Sequence, residues 1–272
     1  MRSYYQRGET MRNTFTSRSQ AATFLKGKWK TAILVQCLCI GAEILLIVTE
    51  GICLYCFPAI PIFPIGVLVD LLLLSPLKAG RALLYETVVS DGDKASTKLL
   101  FRFFSHGYTR SIGWRLELWL RRIGWHILFS VPSALFLFIS RAAEQRGRET
   151  LAMIAFIFSL LFLVIAFLVT EILLFRYIPA VYLLSKVASS RHALLLSKRL
   201  SKGYTNNWTL LYLDYAGWSF SFLLLFPFFY VSPLFHTARA ATVKRLFSEI
   251  SPQIHQQLLQ RGKNHGRIRN EF

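Results

Sequence analysis

Acidic residues are scarce in this sequence: 14 Asp and Glu stand against 32 Lys and Arg in 272 residues, a formal net charge of +18. Charged residues of both signs make up only 17%, where a soluble domain carries ~25%, while 54% of the chain is hydrophobic and 15% aromatic. An ordinary soluble domain is thereby excluded, and one polytopic membrane domain is the natural reading. Soluble catalytic motifs are missing as well. The sequence holds no P-loop, no G-x-S-x-G and no H-E-x-x-H. Its six histidines, at 106, 126, 192, 236, 255 and 265, offer no ligand pair on a helix. An ATP-driven pump is excluded unless a partner supplies the ATPase, nothing pairs a nucleophile with a base, and no catalytic residue, cofactor or metal site is expected.

Cysteine is also sparse. Cys37 and Cys39 are two apart and point to nearly opposite sides of a helix, so they cannot jointly hold a metal. Cys53 and Cys56 form a C-x-x-C, which could be redox-active or metal-binding at the outer face. The preferred reading is that all four are small polarisable residues packing in a lipid-embedded helix, because no second C-x-x-C or nearby His pair completes a site.

What the chain does have is long apolar runs separated by basic segments. The most apolar begins at Leu151 and continues for about 25 residues, where ~20 suffice to cross a bilayer. It runs into a basic, aromatic elbow containing Arg176, Tyr177, Tyr182, Lys186, Arg191, Lys198, Arg199 and Lys202, the composition of a membrane interface. Residues 1–30 contain Arg, Ser and Thr without an apolar core and read as a basic cytoplasmic tail rather than a secretory signal. An Arg- and Ser-rich start is shared with organellar transit peptides, and Glu9 counts against that reading.

The transmembrane helical domain is expected over residues 31–250. A first span follows Lys30, and Pro58, Pro61 and Pro64 allow a turn at its far side. A second span from about Pro61 to Leu77 returns to Lys78 and Arg81. Both charged ends then share one face, which the positive-inside rule assigns to the cytoplasm, together with the N-terminus. Lys94, Lys98, Arg102, His106 and Arg110 recur every four residues opposite Leu99, Leu100, Phe103 and Phe104, predicting an amphipathic helix lying on the membrane. Trp114, Trp119, Arg121, Arg122 and Trp125 form an interfacial belt before a third span that ends near Ser140, with a kink at Pro132. After the connection at 141–149, placed outside, the fourth span returns. The last apolar region, 208–241, reads as two short helices broken near Pro227, which keeps Arg239, Lys244 and Arg245 inside and brings the total to about six spans. Residues 251–272 are polar and Gln-rich and read as a disordered tail. The expected fold is all-α: a polytopic transmembrane helix bundle with a surface helix.

Five acids, Glu43, Glu50, Asp70, Glu171 and Asp214, lie within apolar runs where Lys and Arg are nearly absent. A carboxylate in hydrocarbon costs ~2.5–3.5 kcal/mol on insertion scales, so such groups face the bundle interior, take a proton or pair. Glu43 lies about 20 Å along the helix from Lys30, with Asp70 and Asp214 at comparable depth and Glu171 near the inner interface. Gln36, Glu43 and Glu50 are seven apart, a stripe that should point at other helices. Two readings stay open: a proton- or cation-coordinating centre of Glu43, Asp70 and Asp214, or separate acids that glue helices together. Lys94, Lys98, Arg102, Arg110, Arg121 and Arg122 are the candidate contacts to anionic lipid head groups.

Several stretches resemble an uncharacterised family of multi-pass membrane proteins, a domain of unknown function common in low-GC Gram-positive bacteria. They are Leu25-Lys26-Gly27-Lys28-Trp29-Lys30, Ser75-Pro76-Leu77 with Gly80, Leu100-Phe101 with Phe104, and Tyr177-Ile178-Pro179-Ala180-Val181-Tyr182. Ala193-Leu194 with Ser197-Lys198, Lys202-Gly203-Tyr204 and Gly217-Trp218 continue the series, so that the resemblance spans most of residues 20 to 250. Ser75-Pro76-Leu77 and Ser232-Pro233-Leu234 stand where the family usually has Gly-Pro-Leu and Pro-Tyr. The family is also similar to the membrane domain of glycerophosphodiester phosphodiesterases, whose catalytic domain this sequence lacks. The resemblance implies an α-helical bundle in the plasma membrane and supplies no activity. The expected function is a non-enzymatic accessory or envelope component that contacts anionic lipid, with a protein partner or a second copy and without nucleic acid. The alternative is a small transporter coupled to protons or cations.

Overall fold

The first long helix starts where glycine lets the chain turn. Gly27 adopts φ +78°, a left-handed conformation open to a residue without Cβ, and the Lys28 amide donates to Leu25 O at 2.8 Å. The chain thus turns from helix α1 (Arg18–Phe24) into helix α2 (Trp29–Cys56). This computed structural model describes residues 18–56, 62–187, 189–202, 204–219 and 229–248, and all secondary structure among them is helical. The basic tail expected over 1–30 therefore falls mostly outside the described residues. So do the expected turn at Pro58 and Pro61, the break at Pro227 and the C-terminal tail, and the side chains of Cys53 and Cys56 are likewise not described.

Helix α3 (Ile62–Val69) passes through one π turn, Asp70–Leu74, into α4 (Ser75–Ser90). The Ser75 amide reaches back five residues to the Asp70 carbonyl, and the Ser75 hydroxyl donates to the same oxygen at 3.1 Å. One extra residue in the turn rotates α4 about its axis relative to α3, a device often found beside functional sites. Two 3-10 turns, Gly92–Lys94 and Thr97–Phe101, and the single helical turn α5 (Arg102–Ser105) come next. Gly107, at φ +103°, then starts α6 (Tyr108–Gln145), which runs through Pro132 without ending. Helix α7 (Glu149–Leu174) returns antiparallel. A 3-10 turn (Phe175–Tyr177), α8 (Ala180–Leu183), α9 (Ser190–Leu200), α10 (Thr205–Ser219) and a helix over 229–248, α11, complete the described residues.

Among the described residues three helical segments are long and apolar enough to cross a membrane: Trp29–Ile52, Tyr108–Gln145 and Glu149–Leu183. They coincide with the expected first, third and fourth spans. The expected second span and the C-terminal pair are not among them. At ~1.5 Å per residue the 38 residues of α6 extend about 57 Å, nearly twice the ~30 Å hydrocarbon core. Its two halves accordingly live in different surroundings. From Ile127 to Ile139 on α6 and from Leu151 to Leu168 on α7, large apolar side chains face outward. Before residue 127 α6 is packed into a dense body whose single core includes Leu25, Leu84, Tyr85, Leu100, Leu194 and Trp208.

The α6–α7 hairpin turns on Gly147, at φ +70°. The Arg148 amide donates to Ala143 O at 3.0 Å and the Gly147 amide to Glu144 O at 3.0 Å, the paired bonds of a Schellman ending. Below the turn the two helices meet along small residues. Ser140 Oγ donates to Ala152 O at 2.8 Å, Ser133 Oγ to Ser159 O at 2.8 Å and Ser159 Oγ to Ser133 O at 2.9 Å, with Ala155 and Ala166 buried on the same seam. Lipid supplies no hydrophobic drive between apolar helices, so close backbone approach and interhelical hydrogen bonds hold them.

The expected amphipathic helix over 94–110 is not one helix. It is a 3-10 turn, a single α turn and a left-handed glycine, because Gly80 lets this segment pack by its backbone. A Cβ on Gly80 would fall 1.9 Å from Leu100 O. Leu100 and Phe103, expected on a lipid-facing side, are buried in the core, whereas Phe101 and Phe104 are exposed. The amphipathic basic helix is α9. It buries Ala193, Leu194, Ser197 and Leu200 and exposes Arg191, Lys198 and Arg199.

Candidate functional site

The acid stripe of α2 faces the rod formed by α3, the π turn and α4. Gln36 is buried, and Glu50 sits over Gly66, where a Cβ would fall 1.8 Å from Glu50 Oε1. Glu43 Oε1 lies 3.7 Å from Lys78 Nζ. Asp70 Oδ1 is 3.1 Å from the same ammonium, and Asp70 Oδ2 accepts from Arg115 Nε at 3.0 Å, with Arg115 Nη2 3.4 Å from Oδ1. The π turn is what places Asp70 here, between α4 and α6. Two of the three candidate acids thus meet, each bound to a cation. Lys78 is held below the usual lysine range, first by burial and then by the Arg115 guanidinium, against which Asp70 and Glu43 pull.

Asp214 is elsewhere. It pairs with Arg18 of α1: Arg18 Nη2 lies 2.6 Å from Oδ1, Nε donates to Oδ2 at 3.1 Å, and a further bond reaches the Asp214 carbonyl. Glu171 pairs with Arg122 at 3.1 Å. The latter pair belongs to the hairpin seam, for Ser140 with Ala152, Ser133 with Ser159, His126 with Phe167 and Arg122 with Glu171 follow one antiparallel register. Sequence spacing could not have found it, since the register is set by the turn at Gly147.

The six cations singled out for lipid contact divide. Lys98 and Arg102 are exposed. Lys94, also exposed, pairs with Asp91 at 2.6 Å, and that hydrogen bond raises its pKa. Arg110 instead donates to Leu184 O at 3.2 Å and to Val187 O at 2.8 Å, tying the chain after α8 to the start of α6. Arg121 donates to the Tyr177 hydroxyl at 2.8 Å and pairs with Glu117 at 3.3 Å, and Arg122 holds Glu171.

Behind these pairs lies a cavity of about 330 Å³ between α4, α6, the α7–α8 region, α10 and α11. Its cationic lining is Lys78, Arg81, Arg115, Arg122 and Arg239, and its one carboxylate is Glu171. Neither Glu43, Asp70 nor Asp214 lines it. Arg239 lies over the rings of Tyr182, Tyr212 and Phe235 at 6.0, 5.8 and 5.4 Å from their centroids, a cation–π setting. Sequence reasoning missed this cavity because Arg81 and Arg239 lie 158 positions apart and converge only through the packing of α4 against α11. The signal available was the i, i+3 pairing of Lys78 with Arg81 on one helical face.

No family model, curated protein or solved structure matches the chain.

Proposed function

We propose that this is a non-enzymatic multi-pass component of the plasma membrane, an accessory or envelope protein whose N-terminal side is cytoplasmic and whose dense body rests on anionic lipid head groups. The observation that carries the reading is the segregation of its surface. Large apolar side chains clothe the α6–α7 hairpin and the far half of α2, whereas Arg191, Lys198, Arg199 and Lys202 with Lys98 and Arg102 stud the outside of the body. Cations in that position stay on the cytoplasmic side and gain ~1 kcal/mol each near an anionic leaflet. About six passages are counted in this reading: the three long ones, a short one opened by α3, and the pair α10 and α11.

Membership in the uncharacterised bacterial family is part of the same proposal. Its support is that Ser75, Leu77, Tyr177, Ala180, Tyr182, Ala193 and Ser197 are all buried in the body, as residues of a shared core would be. The transporter reading has less support. Glu43 and Asp70 are taken up by Lys78 and Arg115, Asp214 by Arg18, and the cavity beside them is walled by cations.

Single cysteines in a cysteine-depleted background test the orientation. Arg146→Cys at the hairpin turn should react with an impermeant maleimide in intact cells, and Lys98→Cys only after lysis. The opposite pattern overturns the orientation. In nanodiscs, the Tm should be higher with phosphatidylglycerol than with phosphatidylcholine, and the combined Arg191→Gln, Lys198→Gln and Arg199→Gln variant should lose most of that rise. Equal Tm values in the two lipids would remove lipid contact from the function.

A further inference from the structure

Three carboxylates serve the five cations of the cavity: Glu43 and Asp70 hold Lys78, Asp70 holds Arg115, and Glu171 holds Arg122. Arg81 and Arg239 remain, and among the described residues neither forms an ion pair. They enter from opposite walls, α4 and α11. Bringing two guanidinium groups to one half-open cavity whose one carboxylate already holds Arg122 is unfavourable, because desolvation weakens each and their mutual repulsion adds to it. The aromatic rings around Arg239 offset part of this and leave its Nε–H without a partner.

The unmade bonds share one direction. Two residues of the cavity lining each carry a buried N–H without a hydrogen-bond partner in the protein, Arg239 Nε and Trp114 Nε1, and both atoms are covered on the cavity side as well. Trp114 is only 7% exposed. Five cations against one carboxylate leave the lining in excess of positive charge, and the ammonium and guanidinium groups that carry it are all donors, so it is in excess of donors as well. A neutral polar ligand would answer the second excess and not the first. A metal cation would answer neither. An anion with several acceptor oxygens answers both, and the flat fork of a guanidinium matches the tetrahedral oxygens of phosphate bidentately.

We propose that the cavity between Arg81 and Arg239 is a binding site for a phosphate group, with Lys78, Arg115 and Arg122 adding to the field. About 330 Å³ is at the lower end of the ~300–1,000 Å³ of small-molecule sites, room for a phosphate or a small phosphorylated head group. The apolar side of the lining, Leu118, Leu174, Ile178 and Val181, would accept the carbon portion of an esterified phosphate. The source is a lipid head group or a soluble phosphate, which share this chemistry. The site rests on its own lining and stands apart from the lipid contacts on the outer surface of the body.

The test uses the full chain in a phosphate-free glycoside detergent and phosphate-free buffer, following tryptophan fluorescence and Tm. One arm adds inorganic phosphate, and the other adds phosphatidate to the micelles. A saturable response in either arm that Arg81→Gln weakens at least tenfold supports the site. The arm that responds names the source. Arg239→Gln should weaken it equally, and if that variant fails to fold the half-buried Arg81 decides. Lys98→Gln and Arg199→Gln, on the outer surface, should leave the response to inorganic phosphate unchanged and weaken the response to phosphatidate far less than Arg81→Gln does, which separates the cavity from general attraction to anionic lipid. Wild-type protein that responds in neither arm, or an Arg81→Gln variant that responds like wild type, overturns the proposal.

Discussion

The α6–α7 hairpin and the dense body are built from opposite materials. Ser133, Ser140, Ala155, Ser159 and Ala166 line the inside of the hairpin, and its large residues face out. In the body the large residues, Trp208, Tyr85 and Leu84 among them, are inside, and most of its charges are paired or exposed, Arg81 and Arg239 being among the exceptions. In the proposed arrangement, with the hairpin's outer face against lipid, the difference comes from the solvent. In lipid a leucine gains nothing by turning inward, so helices approach on small residues and exchange hydroxyl-to-carbonyl bonds. Against water, burying apolar surface is the dominant favourable contribution, and the same leucine turns in. Arg122 with Glu171 marks where one regime gives way to the other along a single pair of helices.

Damage to the body should exceed damage to the hairpin. Gly80→Val puts a side chain where Leu100 O lies, and a backbone atom cannot swing aside as a flexible side chain can. We expect a loss of about 3 kcal/mol or more, read as failure to recover monodisperse protein in detergent. Normal recovery would mean that the 97–101 segment is not seated on α4. Asp70→Asn leaves Lys78 and Arg115 facing each other without their shared carboxylate. With all three side chains about one quarter exposed, a loss of about 2 kcal/mol is expected, measured by thermal unfolding. Lys78→Met in the same chain should restore part of it.

Smaller effects are expected in the hairpin. Ser133→Ala and Ser159→Ala should each lower stability by about 1 kcal/mol, and together by less than the sum, because the two hydroxyls serve one contact. An additive pair would indicate that the register differs. Gly147→Ala forces a side chain into a left-handed turn and should cost about 1 kcal/mol, visible as faster proteolysis at the turn in reconstituted protein. Lys98→Gln and Arg102→Gln, both exposed, should change Tm in phosphatidylcholine by less than about 0.5 kcal/mol equivalent.

Several features of this architecture can be read along the chain. The uninterrupted apolar run after Leu151 has one interpretation at any register, as does the run after Lys30, because length and hydropathy alone match the bilayer. The stripe of Gln36, Glu43 and Glu50 could be placed on one face by its spacing of seven. The segment 94–110 could not be read correctly, since its cations recur every four residues as an amphipathic helix demands. What breaks that helix is Gly80, some twenty residues earlier, whose bare backbone draws Leu100 and Phe103 inward. Asp70 and Asp214 look alike in sequence, each a lone acid in an apolar run, and they acquire different partners from different helices.

Hydropathy and charge, which need no knowledge of neighbours, determined by sequence alone that the chain is helical, that three of its segments match a bilayer in length and apolarity, and that cations gather beside them. Tertiary structure decided which acid meets which cation, that Lys78 is shared by two carboxylates, and that Arg81 and Arg239 face one cavity. An ion pair or a cavity is a relation between helices. Its geometry depends on the close backbone contact at Gly80 and on the turns at Asp70 and Gly147, which shift residues far away by amounts that local pattern does not encode.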